Sequence, residues 1–357
     1  MTPEGSEEIL ARLDRFNRVP LIHLPTPLRK LENVSGMLGG PEIWIKRDDL
    51  TGMAFGGNKS RKLEFIIPDM LAKKADIVVT WAALQSNWAM QTAAAATRFG
   101  IKPVLILFKR YELAEDYDGN MLLDYILKAE ILIKEPLEGR STKTEDYFAV
   151  ADEIAAEYRS RGHRPYVVSV GGSKVMGSMT LPLGAISYVK ACAEMLEQTR
   201  ADGFDPDWVV HATGSGSTQA GLVVGAKYLA PRAKVVGISV SDEKEPFSKD
   251  VLEIARATEA ALGGELAIGP HDVIVFDEYL SDGYGIVTKD VADVIRLVFR
   301  KEGIVLDPVY TSKAFIGLTD LVRKGFFKKT DKIVFFHTGG TPALFPNRQK
   351  LVELLKS

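Results

Sequence analysis

The segment around Lys59 combines a lysine amine with two adjacent glycines, and this pairing suits covalent chemistry. Lys59 follows Gly56-Gly57-Asn58, and Lys62 comes one helical turn later. Adjacent glycines let the backbone approach a ligand closely, and a lysine that can lose its proton forms Schiff bases with aldehydes. A phosphate-binding P-loop would need lysine directly after the second glycine, where Asn58 stands. The alternative to an amine held near an aldehyde is a solvated lysine in a turn.

A second segment, residues 213–219, consists almost entirely of small residues. It reads Thr213-Gly214-Ser215-Gly216-Ser217-Thr218-Gln219 and precedes a predicted helix. Backbone N–H groups and the helix dipole make such a loop an anion site. A dinucleotide fingerprint would need glycine where Gln219 stands. Phosphate binding is favoured over a plain capped turn, because small residues fill the whole loop.

Three further segments carry polar side chains. Ser86 and Asn87 are good helix N-caps, and helix-terminal donors also suit an anionic or carbonyl ligand. Tyr310 lies on the turn Asp307-Pro308-Val309-Tyr310, with Tyr284 upstream, and a tyrosine on a turn more often packs than reacts. Thr338 precedes Gly339-Gly340, which again suits close ligand approach.

The elements between these segments predict an α/β protein with mostly parallel sheets. Short runs rich in valine and isoleucine alternate with longer helical stretches, as in strands buried on both faces. In such sheets, ligands bind where strands end and lead into helices. We predict strands at 43–46, 76–80, 104–108, 131–134, 166–170, 208–212, 235–240, 273–276 and 332–336. We predict helices at 87–99, 145–158, 183–198, 219–229, 251–262, 290–301 and 312–324.

Composition excludes several classes of function. The chain has 357 residues, which favours two domains, and a formal net charge of -2, which gives no basic excess for nucleic acid or a membrane surface. The single cysteine, Cys192, rules out a disulfide within the chain and a cysteine-based metal cluster. The acidic N-terminal stretch lacks the features of a secretory signal, and no apolar run could span a bilayer. We therefore expect a cytoplasmic protein.

Several separated motifs together resemble one enzyme family. The chain resembles the D-cysteine desulfhydrase and aminocyclopropane-carboxylate deaminase family, in the tryptophan synthase beta-like group of fold type II pyridoxal phosphate enzymes. The resemblance runs from about Leu24 to about Phe345, nearly the whole chain. Its most specific motifs are Gly56-Gly57-Asn58-Lys59-Ser60-Arg61-Lys62-Leu63-Glu64, Gln85-Ser86-Asn87, Gly214-Ser215-Gly216-Ser217-Thr218-Gln219-Ala220-Gly221 and Asp307-Pro308-Val309-Tyr310.

The resemblance implies roles in holding pyridoxal 5'-phosphate. Lys59 would form a Schiff base with it, Asn87 would hydrogen-bond the oxygen on its ring, and Thr311 would face its pyridine nitrogen. The phosphate would be held by Lys62, Ser215, Gly216, Ser217 and Thr218.

It also implies roles toward a small amino-acid substrate. The catalytic residues would be Lys59, Ser86, Tyr284 and Tyr310, with Ser86 against the substrate carboxylate or active in proton transfer. The substrate-binding residues would be Ser86, Asn87, Trp88 and Thr338.

Two threonines place the chain nearer the desulfhydrases. The deaminase branch carries glutamate at the position of Thr311 and leucine at that of Thr338. A hydroxyl at the ring nitrogen withdraws less charge than a carboxylate partnering a protonated pyridine. This favours elimination of a good β-leaving group over opening of a cyclopropane ring.

The chain departs from the family pattern near the substrate. Trp88 stands where desulfhydrases usually carry histidine, Ile286-Val287-Thr288 replaces a usual Pro-Asn, and residues 174–181 are additional. Cysteate sulfo-lyases also resemble the chain, around His211-Ala212-Thr213-Gly214-Ser215 and Gly40-Pro41-Glu42-Ile43-Trp44-Ile45-Lys46.

The resemblance implies β-elimination from a small amino acid such as D-cysteine, giving a keto acid, ammonia and sulfide. Aminocyclopropane-carboxylate deamination, cysteate cleavage and β-replacement are alternatives within catalysis. Outside catalysis, the alternative is a sensor that binds pyridoxal phosphate or an amino acid.

The family fold implies two interleaved open twisted sheet domains. Residues 1–58 and 173–357 would form a large cofactor-binding domain, and residues 59–172 a small inserted α/β domain. The absence of a polar linker suits a homodimer.

Overall fold

The chain forms two separate β-sheets in a computed structural model that describes residues 3–109, 117–136 and 144–357. The larger sheet has six strands in the order β1-β2-β10-β7-β8-β9, and the smaller has four in the order β5-β4-β3-β6. The strands are β1 (Leu28–Lys30), β2 (Glu42–Lys46), β3 (Ile77–Ala83), β4 (Lys102–Phe108), β5 (Glu130–Lys134), β6 (Pro165–Val167), β7 (Trp208–Thr213), β8 (Lys234–Ser239), β9 (Ile274–Phe276) and β10 (Lys332–Phe336).

Almost every pair of neighbouring strands is parallel. Strand β10 pairs with β2 in the register Ile333 to Ile43, and with β7 in the register Val334 to Val209. The exception in the described part of the chain is β1, which runs antiparallel to β2. The prediction of an α/β protein with mostly parallel sheets is therefore confirmed.

Helices cover both faces of each sheet. They are α1 (Pro3–Leu13), α2 (Glu32–Leu38), α3 (Asn58–Ala72), α4 (Asn87–Arg98), α5 (Gly119–Ile126), α6 (Thr144–Ser160), α7 (Leu183–Ala201), α8 (Ser217–Leu229), α9 (Lys244–Ala261), α10 (Lys289–Glu302), α11 (Thr311–Arg323) and α12 (Arg348–Lys356). None of the described helices is both long and apolar enough to cross a lipid bilayer.

The core of the large sheet has two apolar layers. On one face, β2, β7, β8 and β10 pack with α2, α10 and α11 through residues such as Ile43, Val236 and Phe315. On the other face, α3, α7, α8 and α9 pack on it, and this layer extends to Val78 and Tyr166 of the smaller sheet. Valine and isoleucine on both sides of each strand make this double burial possible.

The smaller sheet is also a three-layer unit. Helix α6 packs on one of its faces through Ala151 and Ala155, and α4 and α5 pack on the other through Ala89, Ala93 and Met121. All four of its strands lie between β2 and β7 in the chain, so the two sheets are interleaved in sequence. Helix α3 packs in a core shared with both sheets, and the division at residues 58 and 172 stays a prediction.

All nine predicted strands and all seven predicted helices are present, with shifted ends. Strand β6 ends at Val167, three residues before the predicted end, because a single 3-10 turn begins at Val170. Helix α9 begins at Lys244, seven residues before the predicted start. The sequence patterns did not predict α1, α2, α5, α12 or β1, and they indicated only the start of α3.

Candidate active site

A cavity opens between the two sheets, at the carboxyl ends of β3, β4 and β7. This is where ligands bind in open α/β sheets. Of the sequence-predicted site residues, those that line it are Lys59, Ser86, Asn87, Trp88, Ser215, Gly216, Thr218, Tyr284, Tyr310 and Thr338. The other three, Lys62, Ser217 and Thr311, are buried behind its wall.

Lys59 presents its amine to this cavity from the first turn of α3. The surrounding protein lowers the pKa of Lys59 from 10.5 to about 8, an effect that the nearby Asp307 carboxylate partly offsets. A lysine with this pKa has an appreciable neutral fraction near pH 7, and the neutral amine is the nucleophile. The site therefore contains an amine that can attack a carbonyl carbon.

Two glycines let the Lys59 loop touch the loop after β10. Gly57 has a φ of 127°, and a Cβ added there would lie 3.0 Å from the Thr338 carbonyl oxygen. At Gly339, with a φ of 85°, an added Cβ would come within 2.7 Å of the Gly57 Cα atom. This close approach lets Asn58 donate its backbone N–H to the Thr338 carbonyl oxygen at 3.0 Å. Two segments that lie far apart in the chain thus contribute to one wall of the cavity.

The start of α8 forms another part of the wall. No side chain caps its first turn, so the N–H groups there are available to an anion, and the helix dipole favours negative charge. Thr218 Oγ1 accepts a hydrogen bond from Asn58 Nδ2 at 3.1 Å. That bond fixes the start of α8 relative to the Lys59 loop.

Lys62 adds a buried amine behind this helix start. Its Nζ donates to Ser217 Oγ at 2.8 Å, a neutral partner. Burial and the charge of Lys59 hold the pKa of Lys62 well below its ordinary value. Two lysines and an uncapped helix start need a counter-charge, and a phosphate group would supply it. The residues present therefore fit a phosphorylated aldehyde.

Ser86 and Asn87 start α4 at the cavity. Ser86 Oγ accepts from the backbone N–H groups of Trp88 and Ala89, both at 3.2 Å, so it caps the helix. Its hydroxyl proton remains available as a donor, because a hydroxyl both accepts and donates. The predictions of a cap and of a ligand donor describe different atoms of the same side chain.

Sequence reasoning did not predict Asn120, which supports the loop formed by Gln85, Ser86 and Asn87. Asn120, on α5, donates from Nδ2 to the Gln85 carbonyl oxygen and to Asn87 Oδ1, both at 2.9 Å. The Asn120 backbone N–H donates to Gln85 Oε1 at 2.8 Å. With its Oδ1 occupied, Asn87 offers its Nδ2 donor for another partner. Sequence patterns did not indicate this role, because Asn120 lies in a helix of only eight residues.

The two predicted tyrosines meet across the cavity. The hydroxyls of Tyr284 and Tyr310 form a hydrogen bond, and their rings stand edge to face with centroids 5.9 Å apart. Trp88 also lines the cavity, and its Nε1 donates to Thr80 Oγ1 at 2.8 Å. Since that polar edge is satisfied, the rest of the Trp88 indole is an apolar surface.

Asp307 is an acid that the sequence suggested only as part of a turn. Its carboxylate accepts from the backbone N–H groups of Val309, Tyr310 and Thr311 at 2.7–2.9 Å, which fixes the start of α11. The Thr311 hydroxyl donates to Asp307 Oδ1 at 2.7 Å and accepts from the Asp307 N–H at 2.9 Å. The predicted role of Thr311 at a ring nitrogen stays a prediction.

A buried charge network anchors α3 below the cavity. Arg61 donates from Nε and Nη2 to the Asp48 carboxylate at 2.8–2.9 Å, and from Nη1 and Nη2 to Glu194 at 2.9 Å. Lys46 also donates to Glu194, and the Tyr188 hydroxyl donates to Asp48 at 2.7 Å. Because Arg61 lies between Lys59 and Lys62, this network orients both lysines. Sequence reasoning missed it, since its members lie far apart in the chain.

The site and the fold together define the class of this protein. Residues 19–339 match the family described as "Pyridoxal-phosphate dependent enzyme". The chain therefore belongs to the pyridoxal phosphate-dependent enzymes, with a tryptophan synthase beta-like fold.

Similar proteins place it more closely, in the deaminase and desulfhydrase family of carbon–sulfur lyases and deaminases. A Pyrococcus furiosus protein provisionally named 1-aminocyclopropane-1-carboxylate deaminase is 39% identical over 351 residues, covering 98% of this chain and 99% of that protein. A Klebsiella pneumoniae D-cysteine desulfhydrase is 40% identical over 339 residues, covering 94% and 98%. A solved structure of an "ACC deaminase homologue" matches with a TM-score of 0.86 and 38% identity, covering 99% and 100%.

Proposed function

We propose that the protein eliminates the β-thiol of D-cysteine, giving pyruvate, ammonia and hydrogen sulfide with consumption of one water. The observation that carries the proposal is the lining of the cavity, which has Thr338 where the deaminase branch of the family carries leucine. Thr311, where that branch carries glutamate, lies behind the wall and donates its hydroxyl to Asp307. A thiolate is a good leaving group and needs less electron withdrawal than a cyclopropane carbon. The similarity to a D-cysteine desulfhydrase supports the same substrate.

In this proposal Lys59 holds the cofactor, and the uncapped start of α8 receives its phosphate. Ser215, Gly216, Ser217 and Thr218 form this start, and the Lys62 ammonium behind them balances the phosphate charge. Pyridoxal phosphate, when bound, supplies an acceptor for the electrons released at the substrate Cα. The Asn87 Nδ2 donor would bind the oxygen on the cofactor ring.

Lys59 is also the residue proposed to move the Cα proton. Its amine, once displaced by the substrate amine, is neutral for a substantial fraction of the time because the pKa is about 8. A base whose pKa lies near the working pH combines the correct protonation state with a useful driving force.

Ser86 is proposed to bind the substrate carboxylate. Its oxygen is occupied as the cap of α4, so its proton points to another acceptor. The start of α4 adds a helix dipole that favours a negatively charged group. This fixes the Cα–H bond relative to Lys59, while Trp88 and Thr338 line the remaining substrate wall.

Tyr284 and Tyr310 are proposed to act on the leaving group. Because the two hydroxyls share a hydrogen bond, one can donate its proton to the departing sulfur while the other hydroxyl stabilises the resulting oxygen. A general acid positioned in this way typically contributes about 10²–10⁴-fold to the rate. The alternative substrate is aminocyclopropane-carboxylate, which the similarity to proteins named for that activity favours.

The first test is the visible spectrum of the purified protein with pyruvate and sulfide assayed together. With D-cysteine, we expect the absorbance of the lysine-bound cofactor to shift and both products to appear. A shift without pyruvate would redirect the assignment to aminocyclopropane-carboxylate and then cysteate. The Lys59→Ala variant should lose all turnover, and retained turnover would contradict the role of Lys59.

We also propose that the protein is a homodimer, which sedimentation of the holoenzyme would test. A single species with the mass of one chain would contradict this. The cytoplasmic location stays a prediction.

A further inference from the structure

The segment from Tyr279 to Tyr284 carries a tyrosine into the cavity but has little regular structure of its own. Tyr284 lines the cavity and hydrogen-bonds Tyr310. Within the segment and just beyond it, the backbone forms turns with N···O distances of 3.2–3.4 Å, near the long end for such bonds. A segment of this kind is held in place mainly by contacts with other elements.

One face of α11 supplies those contacts. Lys313, Gly317 and Asp320 follow each other at spacings of four and three residues, so they lie on one side of the helix. Lys313 Nζ donates to the carbonyl oxygens of Leu280 at 2.8 Å and Gly283 at 2.6 Å.

The other two positions hold the side chain of Tyr279. The Tyr279 hydroxyl donates to Asp320 Oδ2 at 2.7 Å. The Tyr279 ring lies over Gly317, where an added Cβ would meet ring carbon Cδ2 at 3.0 Å. Helix α11 therefore holds the segment at both of its ends through hydrogen bonds and packing.

Packing alone does not explain why a lysine is buried at position 313. Its side chain is 0% exposed, and burying a charged group costs free energy unless its hydrogen bonds are satisfied. Burial lowers the pKa of Lys313 to about 8, while the carboxylates of Asp307 and Asp282 favour its charged form. Near pH 7 the group is mostly an ammonium, bonded to two carbonyl oxygens that are 3 residues apart along the chain.

We propose that Lys313 is a positioning residue that fixes the turn at residues 280–283 and thereby sets the Tyr284 hydroxyl against that of Tyr310. Tyr310 immediately precedes α11, so Lys313 ties both tyrosines to the same helix. The inference rests on the proposed function, in which the two tyrosines act on the leaving group. A displacement of about 1 Å in such a group is enough to cost about 100-fold in rate.

The test compares Lys313→Met with the wild-type holoenzyme by hydrogen–deuterium exchange. We expect exchange at the backbone amides of residues 279–286 to become about tenfold faster or more, because two anchoring bonds are lost. Exchange in α8 and absorbance of the bound cofactor should stay unchanged. The matched control is Lys289→Met, since Lys289 pairs with Asp293 on its own helix at 3.0 Å and should leave the segment unaffected.

The same variant is assayed with D-cysteine. We expect kcat to fall by about 10- to 100-fold with a smaller change in KM, because the tyrosines act more in the transition state than in binding. Lys313→Gln keeps two N–H donors for the same carbonyls, so it should recover part of the loss in both readouts. Unchanged exchange at residues 279–286, or faster exchange in α8 to the same extent, overturns the inference.

The experiment also distinguishes a variant that does not fold from a wild type that is inactive toward D-cysteine. If Lys313→Met does not fold, Tyr279→Phe removes a single anchor, and faster exchange confined to residues 279–286 supports the inference while no change contradicts it. If the wild type has no activity toward D-cysteine, the proposed substrate fails, and the exchange comparison still decides whether Lys313 holds the segment.

Discussion

Lys59 is the residue on which the proposed chemistry depends, and its lowered pKa has a direct kinetic consequence. Attachment of pyridoxal phosphate to the apoprotein requires the neutral amine. Because the pKa of Lys59 is about 8, we expect the attachment rate to rise about tenfold per pH unit up to about pH 8 and then level off. Stopped-flow absorbance of the lysine-bound cofactor measures this.

The Asp307→Asn variant provides the control for the pH dependence of the attachment rate. The charge of Asp307 raises the pKa of Lys59, so Asp307→Asn should move the plateau to lower pH. A rate that keeps rising toward pH 10 in the wild type would show that Lys59 titrates as an ordinary lysine.

Asp124 illustrates a second residue whose environment controls its proton. Both of its carboxylate oxygens are buried without a hydrogen-bond partner, and burial raises its pKa to about 8. The unfolded chain releases this proton near pH 3.9, while the folded chain keeps it, so stability falls by about 1.4 kcal/mol per pH unit between those two pKa values. We expect Asp124→Asn to match the wild type at pH 4 and to exceed its free energy of unfolding at pH 8.

Urea unfolding at several pH values checks this expectation. Asp152→Asn is a suitable control, because Asp152 is half exposed and, among the described residues, pairs with Arg159 on its own helix. Equal pH dependence of the wild type and Asp124→Asn would contradict the raised pKa.

At the scale of elements, the junction of α3, α7 and β2 depends on Glu194. Burial alone would raise the pKa of Glu194, but its hydrogen bonds and ion pairs with Arg61 and Lys46 outweigh burial and hold the pKa at about 2. This stabilisation is fully present above the ordinary pKa of 4.5 and is lost as pH falls toward 2. A shift of this size corresponds to about 3 kcal/mol.

We therefore expect Glu194→Gln to lose about 3 kcal/mol of unfolding free energy at pH 7 and little at pH 2. Chemical denaturation at both pH values measures the difference. Glu197→Gln, on the same helix but exposed, should change neither. A Glu194→Gln variant as stable as the wild type at pH 7 would show that the network contributes nothing net.

The elements also show which features the sequence could predict. Strands such as β7 and β10 were found because parallel strands buried on both faces are continuous apolar runs. Helix α5 was missed because its buried face carries Asn120 and Asp124, which break the apolar pattern. The ends of β6 and α9 shifted because tertiary contacts, not local composition, set them.

The residues of the site also divide into those that the sequence could predict and those that it could not. Residues directly on glycine-rich or helix-start motifs, such as Lys59, Ser86 and Ser215, could be identified from local spacing. Asp307 looked like part of a turn, and only the structure shows that its charge reaches Lys59. Arg61 and Glu194 are 133 residues apart, so no local pattern could join them.

For the whole molecule, the proposed cofactor site is lined by parts that pack on different sheets. A ligand that binds the folded state stabilises it by about 2.7 kcal/mol at 100 times its dissociation constant. We expect the apoprotein to unfold at a lower temperature than the holoenzyme, with the transition rising as pyridoxal phosphate is added. Differential scanning calorimetry measures this, and Lys59→Ala should show a smaller rise. An unchanged transition would contradict binding at a site shared by both sheets.

The contact between Gly57 and Gly339 has a consequence for biosynthesis. The two glycines are neighbours in space, yet the ribosome adds Gly339 long after Gly57. Asn58 receives its partner, the Thr338 carbonyl, only when β10 has left the exit tunnel and joined the sheet between β2 and β7. A nascent chain stalled before β10 should therefore be unable to retain the coenzyme, so that capture of the coenzyme waits for the synthesis of this strand.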